Sequence, residues 1–533
     1  MGRISRGCGA IAASFVMLFA VSARADTSVT LDGNVPTDGL DHFFVPFDVP
    51  DGTQEIEILH DDKSPDNILD WGVNDPSGWR GWGGGNTENA VLNAQAASRS
   101  YVPGPIAKGT WNVVVGKAKV IVSPAVYHIV VTFRTAPTLA PQTVRKAYVA
   151  PAALAKGARY YAGDLHVHSR ESGDAIPTLD EIGTFAKSRG LDFVEVSDHN
   201  VDTQDDYFAD TQARFPDLLF IPGIEFTTYK GHANAIGATK WVDHKIGQPG
   251  ITIEASADQI AAQGAIFSIN HPALDIGDLC IGCAWKHTLD PKKVTGVEIE
   301  TSALSGGGLI FQAKALAFWE SYLDQGLHVV GLGGGDDHRA GKESGQFQSA
   351  LGSPTTLIYA EELSATALMD AIRKGHVVVK TDGPADPMAE LTAGDALPGD
   401  SLKQRSAVLT AKVTNSNADQ RTVSARWVKN GVPDDAMDVT TEGQVFTRDV
   451  QAPATGEDRY RFEVLLGDNK PHLITNHIFL TLDPNGPDPA AQKSSGGCAT
   501  ATNGAGESGA AWSFLGAAAF VAASRGRRRQ RRA

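Results

Sequence analysis

The chain has 533 residues, a length that suits several folded units better than one. Hydrophobic residues make up 42% and charged residues 20%. That balance excludes wholesale disorder, while 56 Gly and 27 Pro point to many turns and β-rich parts. The net charge of −15 argues against nucleic acid as a partner, so a phosphate-bearing substrate has to be held by something local and positive, such as bound metal.

Arg3 and Arg6 precede an apolar run, Ile11–Val21, and Ala23-Arg24-Ala25 has the small-x-small form of a cleavage site, so residues 1–25 read as a signal peptide. An exported protein at the cell surface or outside the cell is expected. Residues 26–136 read as a β-sandwich with strands at Val29–Leu31, His42–Val45, Glu55–Leu59, Trp111–Val115, Val120–Val122 and Tyr127–Phe133, and with Gly-rich Trp82–Asn86 as an interruption. The Pro- and Ala-rich stretch 137–158 reads as a linker.

From 159 to 384 strands and helices alternate, which predicts a parallel sheet or barrel. Thr178-Leu179-Asp180-Glu181 is a capping box and Gly190 stops the helix it opens. Strands follow at Phe193–Val196, Leu219–Ile224, Ala233–Ile236, Ala265–Ile269, Val297–Ile299 and Val329–Leu332, with helices at Ala257–Gln263 and Leu309–Leu323. Residues 385–482 revert to strands and read as a second sandwich. Residues 483–533 read as a disordered linker and a tail.

Ten of the fifteen His fall within 159–384, several at strand ends, the active edge of α/β barrels. His166 and His168 project to one side of their strand; Asp198-His199, Glu225, His232, His271 and Asp336-Asp337-His338 mark further strand ends. Each alone is weak. Together they are what a multinuclear zinc, manganese or iron site needs, because such ions take imidazole nitrogen and carboxylate oxygen together. His244, His287, His328 and His376 lie outside these motifs and read as surface or core residues. Lys230 and Arg339 flank ligand segments and read equally as substrate contacts or as ordinary surface cations.

The segments Asp164–Ser169, Ser197-Asp198-His199, Pro222–Thr227, Gly231–Asn234, Asn270-His271-Pro272, Asp336-Asp337-His338 and Thr381-Asp382-Gly383-Pro384 resemble the polymerase-and-histidinol-phosphatase (PHP) family of metal-dependent phosphoesterases, and more narrowly its CehA/McbA metallohydrolase branch. The resemblance implies a distorted seven-stranded β/α barrel flanked by the two β-sandwiches. It also implies two or three divalent metal ions: one on His166, His168, Glu225 and Asp336, a second bridged by Glu225 to His232 and His271, and a third on Asp174, His199 and His338. Glu225 and Asp336 are the expected catalytic carboxylates. Asp336 is preferred over Asp337 because it shares strand parity with His338, and Asp198 is a candidate to orient a ligand imidazole. The implied activity is hydrolysis of a small-molecule ester by metal-activated hydroxide, on phosphoesters or alternatively on carbamates or carboxylic esters. A non-catalytic surface binding protein is the competing class.

The end of the chain places Gly496-Gly497-Cys498 before an apolar run, Ala511–Ala523, and an Arg-rich terminus. This layout resembles the CTERM class of bacterial sorting tails and implies a transient membrane contact, since thirteen apolar residues fall short of a comfortable span. Cys280 and Cys283 form a C-x-x-C for which export favours a disulfide over a metal or redox pair.

Overall fold

The computed structural model describes residues 25–302, 308–342, 350–416, 422–467 and 470–494. The protein is mixed α/β, with extensive sheets and few helices. Most of the expected signal peptide and all of the tail from Cys498 lie outside the described residues. No helix among the described residues is long and apolar enough to cross a membrane.

The N-terminal part consists of two four-stranded antiparallel sheets. They share one apolar core, with Trp111, Ile56, Ile58, Leu92 and Val115 essentially inaccessible. Two local expectations fail. Val120–Val122 is an exposed turn, because the preceding strand ends at Lys119 and the Asn67 side chain accepts the Ile121 and Val122 N–H groups. The Gly-rich stretch Trp82–Asn86 is only partly an interruption: Trp82–Gly84 ends the strand Gly78–Gly84, and glycine on the neighbouring strand makes room for its indole, since a Cβ on Gly72 would lie 2.5 Å from the Trp82 ring.

The central region is one sheet that runs, in spatial order, through Val330–Gly334, Gly296–Thr301, Ile266–Ile269, Gly231–Ile236, Leu219–Thr228, Phe193–His199 and Lys156–Val167. Neighbours are parallel except for Gly231–Ile236, which is antiparallel to both strands beside it. Just beyond Val330–Gly334 the chain returns to the other side of the sheet: the Asp336 N–H donates to the His166 carbonyl at 2.8 Å and the His168 N–H to the Asp337 carbonyl at 3.1 Å. Helix Leu179–Ser188 opens on the Thr178/Glu181 capping box, and Gly190 follows in a left-handed conformation at φ +74°.

A break after Pro384 is not observed. Thr355–Glu362 pairs with Lys156–Val167, Val377–Lys380 pairs with Thr355–Glu362, and Lys470–Thr475 pairs with Val377–Lys380, so the sheet continues into the C-terminal region. A three-stranded sheet, Met388–Thr392, Ser406–Thr414 and Gln444–Gln451, packs on that continuation through Leu391, Val413, Phe462 and Leu473. The expected strand Ile474–Leu480 is split at Asn476, whose amide is used by Gly331 and Val377. The expected disorder from residue 483 is not met up to residue 494, beyond which the tail lies outside the described residues: the Asp488 carboxylate accepts the Ser406 hydroxyl, whose oxygen in turn accepts the Ala490 N–H.

Fully buried Asp164 ties the returning chain to the strand that carries the two His, accepting the Gly335 and Gly352 N–H groups at 2.8 and 2.7 Å. Burial raises its carboxyl to about 7 against the pull of these bonds. Asp164→Ala leaves at least two buried donors without an acceptor, at about 1–3 kcal/mol each, so a loss of roughly 3 kcal/mol or more is expected. Thermal unfolding checks it; a melting curve that matches the parent protein contradicts the role.

Candidate metal centre

The strand ends and the loops beside them bring their chemistry together, most of it buried, with Asp174 on the exposed rim. Glu225, near the end of Leu219–Thr228, is completely inaccessible and lies among five imidazoles. Its Oε1 is 3.3 Å from His166 Nε2, 3.2 Å from His232 Nδ1 and 3.1 Å from His271 Nε2. Its Oε2 is 3.5 Å from His168 Nε2 and 2.7 Å from His199 Nδ1. Asp336 Oδ1 is 3.3 and 3.2 Å from the Nε2 atoms of His166 and His168, which are only 3.1 Å apart. Asp174 Oδ2 lies between His199 Nε2 at 3.4 Å and His338 Nε2 at 3.3 Å. All nine residues expected as ligands therefore surround one centre.

The strand ends reach this arrangement through unusual backbone. Asp336 does not continue its strand in extended form; it has φ +55°, and His271 has φ +25°. These are conformations that non-glycine residues rarely hold outside functional or tightly determined sites. Asp336 is thus the inward-facing residue, as expected, but through a left-handed turn and not through strand parity. Asp337 faces away and accepts the N–H groups of Arg339, Gly341 and Leu351. Asp198 bonds Ser169 through both its N–H and its hydroxyl, so it secures the loop after His168 and not a ligand ring.

Electrostatics match a cation-binding cluster. Burial opposes ionisation of Glu225 and of Asp336, yet the surrounding imidazoles hold both carboxyls far below the usual carboxylate range. Burial also disfavours protonated His166, but Asp336, Glu225 and Glu298 overcome it and push that ring well above its ordinary value. His168 moves down to about 3, through burial and then the neighbouring His338 and His199. An imidazole pair this close, facing ionised carboxylates, is a donor set for divalent transition ions. The ligand atoms form three groups, His166/His168/Glu225/Asp336 and His168/His199/His338, which share His168, and His232/His271/Cys283, each within 4.8 Å. Glu225 Oε2, despite its ion-pair contact with His199, makes no hydrogen bond, so the residues fit the metal ions that the sequence implies.

Glu298 escaped the sequence reading. Its Oε1 faces His166 Nδ1 at 2.8 Å, and its Oε2 accepts the His271 N–H at 2.7 Å and the Thr301 hydroxyl at 2.8 Å. Gly334 allows this approach, since a Cβ there would lie 2.3 Å from Glu298 Oε1 and 2.5 Å from His166 Cβ. Asn270 was also missed as a contact; its amide donates to Glu225 Oε1 at 2.9 Å. The available signal for Glu298 was a carboxylate between two apolar residues of a buried strand, Val297-Glu298-Ile299.

A cavity of about 590 Å³ opens onto the centre. Its walls include Ile68, Asp70 and Trp82 of the N-terminal sheets, Tyr229, Arg339, and the loop from Leu274 to Ile281. The Tyr229 hydroxyl donates to Asp70 at 2.6 Å. Arg99 donates to the Gly173 and Ala175 carbonyls on either side of Asp174. The N-terminal sheets thus form part of the site and hold one of its acids in place. Of the remaining histidines, His287 bonds Thr228, His328 stacks on Phe479, His376 meets Asp400, and His244 is buried against Trp82. Lys230 pairs with Asp41.

No protein-family model matches the chain, and no curated protein matches it. Among solved structures, the chain is similar to a two-domain protein from Bacteroides vulgatus ATCC 8482 containing a predicted PHP-like metal-dependent phosphoesterase, with 16% identity, TM-score 0.35, and coverage of 63% of this chain and 98% of that one. It is also similar to a candidate metal-dependent phosphoesterase from Bifidobacterium adolescentis ATCC 15703 (12% identity, TM-score 0.24, 35% of this chain and 91% of that one) and to an amidohydrolase from Chromobacterium violaceum with bound sulfate and no metal (15% identity, TM-score 0.23, 35% and 93%). With TM-scores of 0.35 and below, the geometry of the site itself carries the functional reading.

Two variants probe the centre. Changing His166 and His168 together to Ala should remove at least one bound ion per chain by elemental analysis; an unchanged metal count contradicts the ligand set. Glu298→Gln keeps the shape but weakens the hold on His166, so metal affinity should fall about 10–100-fold. A chelator competition titration measures it.

Proposed function

We propose that this chain is an exported metal-dependent hydrolase of the PHP type, holding two or three divalent zinc, manganese or iron ions and acting on a small-molecule phosphoester. In this reading the sheet that returns from Asp336 to His166 is the distorted seven-stranded barrel, and the N- and C-terminal sheets are the flanking sandwiches. The observation that carries the proposal is the position of Glu225, one buried carboxylate whose two oxygens face separate sets of imidazoles.

Ions bound there would lower the pKa of a coordinated water and polarise the ester. The chain's own residues supply the rest. Glu225 and Asp336 give the ionised oxygens that set ion spacing and compensate charge. Glu298 fixes the His166 ring, and Thr227, 2.7 Å from His199 Nδ1, fixes another. Arg339 on the cavity wall orients an anionic group, while Trp82, Ile68 and Leu274 restrict water.

A phosphoester is favoured because residues of three candidate cation-binding groups line the cavity, and cations held there would compensate charge on more than one nonbridging oxygen. The apolar part of the wall favours a second reading, a carbamate or carboxylic ester. A panel of nitrophenyl phosphate mono- and diesters, acyl esters and carbamates on metal-replete protein decides between them, and no turnover of any member favours a binding protein.

On the substrate so found, Glu225→Gln should lose ~10²-fold or more in kcat. Asp337→Asn, which faces the Arg339, Gly341 and Leu351 N–H groups, should stay within about threefold per folded molecule, roughly 0.65 kcal/mol on the transition-state scale. The reverse pattern overturns the bridging role.

A further inference from the structure

Cys280 and Cys283 are joined in a disulfide, and the two sulfurs have different surroundings. Cys280 is half-buried and lines the cavity. Cys283 is 1% exposed, and its Sγ lies 4.0 Å from His232 Nδ1, the same nitrogen that faces Glu225 Oε1 at 3.2 Å. Its sulfur and the ligand atoms of His232 and His271 fall within 4.8 Å of one another. For a tetrahedral ion with sulfur at about 2.3 Å and nitrogen at about 2.0–2.1 Å, the two ligand atoms stand roughly 3.5 Å apart. The observed separation is within a small side-chain adjustment of that value. A disulfide sulfur is a poor ligand for such ions, whereas a thiolate is among the best.

We propose that Cys283 is a metal ligand held in reserve: reducing the Cys280–Cys283 bond delivers a thiolate to the His232/His271 end of the centre and lowers its activity. The proposal rests on the metal-centre reading above. The loop's place does not depend on the disulfide alone. Gly282 packs so closely on the strand bearing Glu225 that a Cβ would lie 2.6 Å from Tyr229 Cα. On its far side the Trp285 N–H donates to the Pro272 carbonyl at 3.1 Å and the Lys286 N–H to the Lys230 carbonyl at 2.7 Å, which anchors it next to both ligand His.

The exchange needs a dithiol reductant. One of its thiolates attacks Cys280 Sγ, the sulfur that the cavity exposes. The S–S bond breaks and its electron pair leaves on Cys283 as thiolate. The second thiol of the reductant, losing its proton, attacks the mixed disulfide and releases Cys280, which takes up one proton. The other proton goes to solvent, and the reductant departs as its own disulfide. A fourth protein ligand at that end replaces an open coordination position with a closed one, the arrangement of structural rather than catalytic sites.

The test uses full-length protein loaded with Co²⁺ as the probe. Cys280→Ser frees Cys283 without any reductant, and Cys283→Ser removes it. Elemental analysis of the oxidised parent comes first; absence of metal there overturns the metal-centre reading, and this proposal with it. With metal present, a thiolate-to-cobalt charge-transfer band in Cys280→Ser, absent from the oxidised parent and from Cys283→Ser, is the expected result. Alkylation of Cys283 in Cys280→Ser should also slow about tenfold or more when metal is bound. Metal-loaded Cys280→Ser without the band, alkylating equally fast with and without metal, overturns the proposal and leaves the centre intact. If Cys280→Ser does not fold, the parent reduced with a dithiol and then freed of it by gel filtration gives the same spectroscopic readout: the band supports the proposal, and its absence from metal-loaded protein overturns it.

Discussion

The structure depends on keeping one ionised carboxylate, Glu225, fully buried. A charge in that position is costly unless opposite charge and hydrogen bonds surround it. Here the compensation comes from five imidazoles and the Asn270 amide, delivered by four strand ends and the loops beside them: His166 and His168 from one, His199 and His232 from one each, and Asn270 and His271 from the fourth. The parallel strands bring these ends to one edge, and the antiparallel Gly231–Ile236 strand brings His232 to that edge at its beginning instead of its end.

The same constraint explains the polar interior around it. Asp164, Glu298 and Asn234 are buried, and each bonds a ligand-bearing segment: Asp164 the Gly335 turn, Glu298 the ring of His166 and the backbone N–H of His271, Asn234 the Leu165 carbonyl beside His166. Buried polar groups of this kind are favourable only when mutually satisfied, which gives the strand ends one arrangement in place of several. The N-terminal sheets extend the arrangement outward. Arg99 clamps the loop carrying Asp174, and Asp70 and Trp82 complete the cavity wall.

Much of this was legible in the sequence because it rests on local rules. The Thr178/Glu181 box opens the helix it marks, and His166 and His168, two apart on a strand, point to the same interior. What was not legible depended on long-range contacts. Glu298 looks like any strand residue until His166 and Gly334 are placed beside it. The left-handed residue of the turn is Asp336 itself and none of the three glycines before it, Gly333-Gly334-Gly335, so the glycine pattern points to the wrong position. The continuity of the sheet past Pro384 depends on pairing Val377–Lys380 with a strand almost a hundred residues away, and the Gly-rich stretch Trp82–Asn86 hides the end of the strand Gly78–Gly84, whose bulk lies in Trp79, Arg80 and Trp82. Sequence patterns register faces and caps; they do not register which distant strand supplies the partner.

The most direct measurement is a crystal structure of metal-replete protein with data collected at the absorption edge of the bound metal. The account predicts anomalous peaks on both sides of Glu225, one within coordination distance of His166, His168 and Asp336 and another within coordination distance of His232 and His271. Peaks that leave Glu225 without a metal contact, or none near these residues in protein shown to contain metal, contradict it.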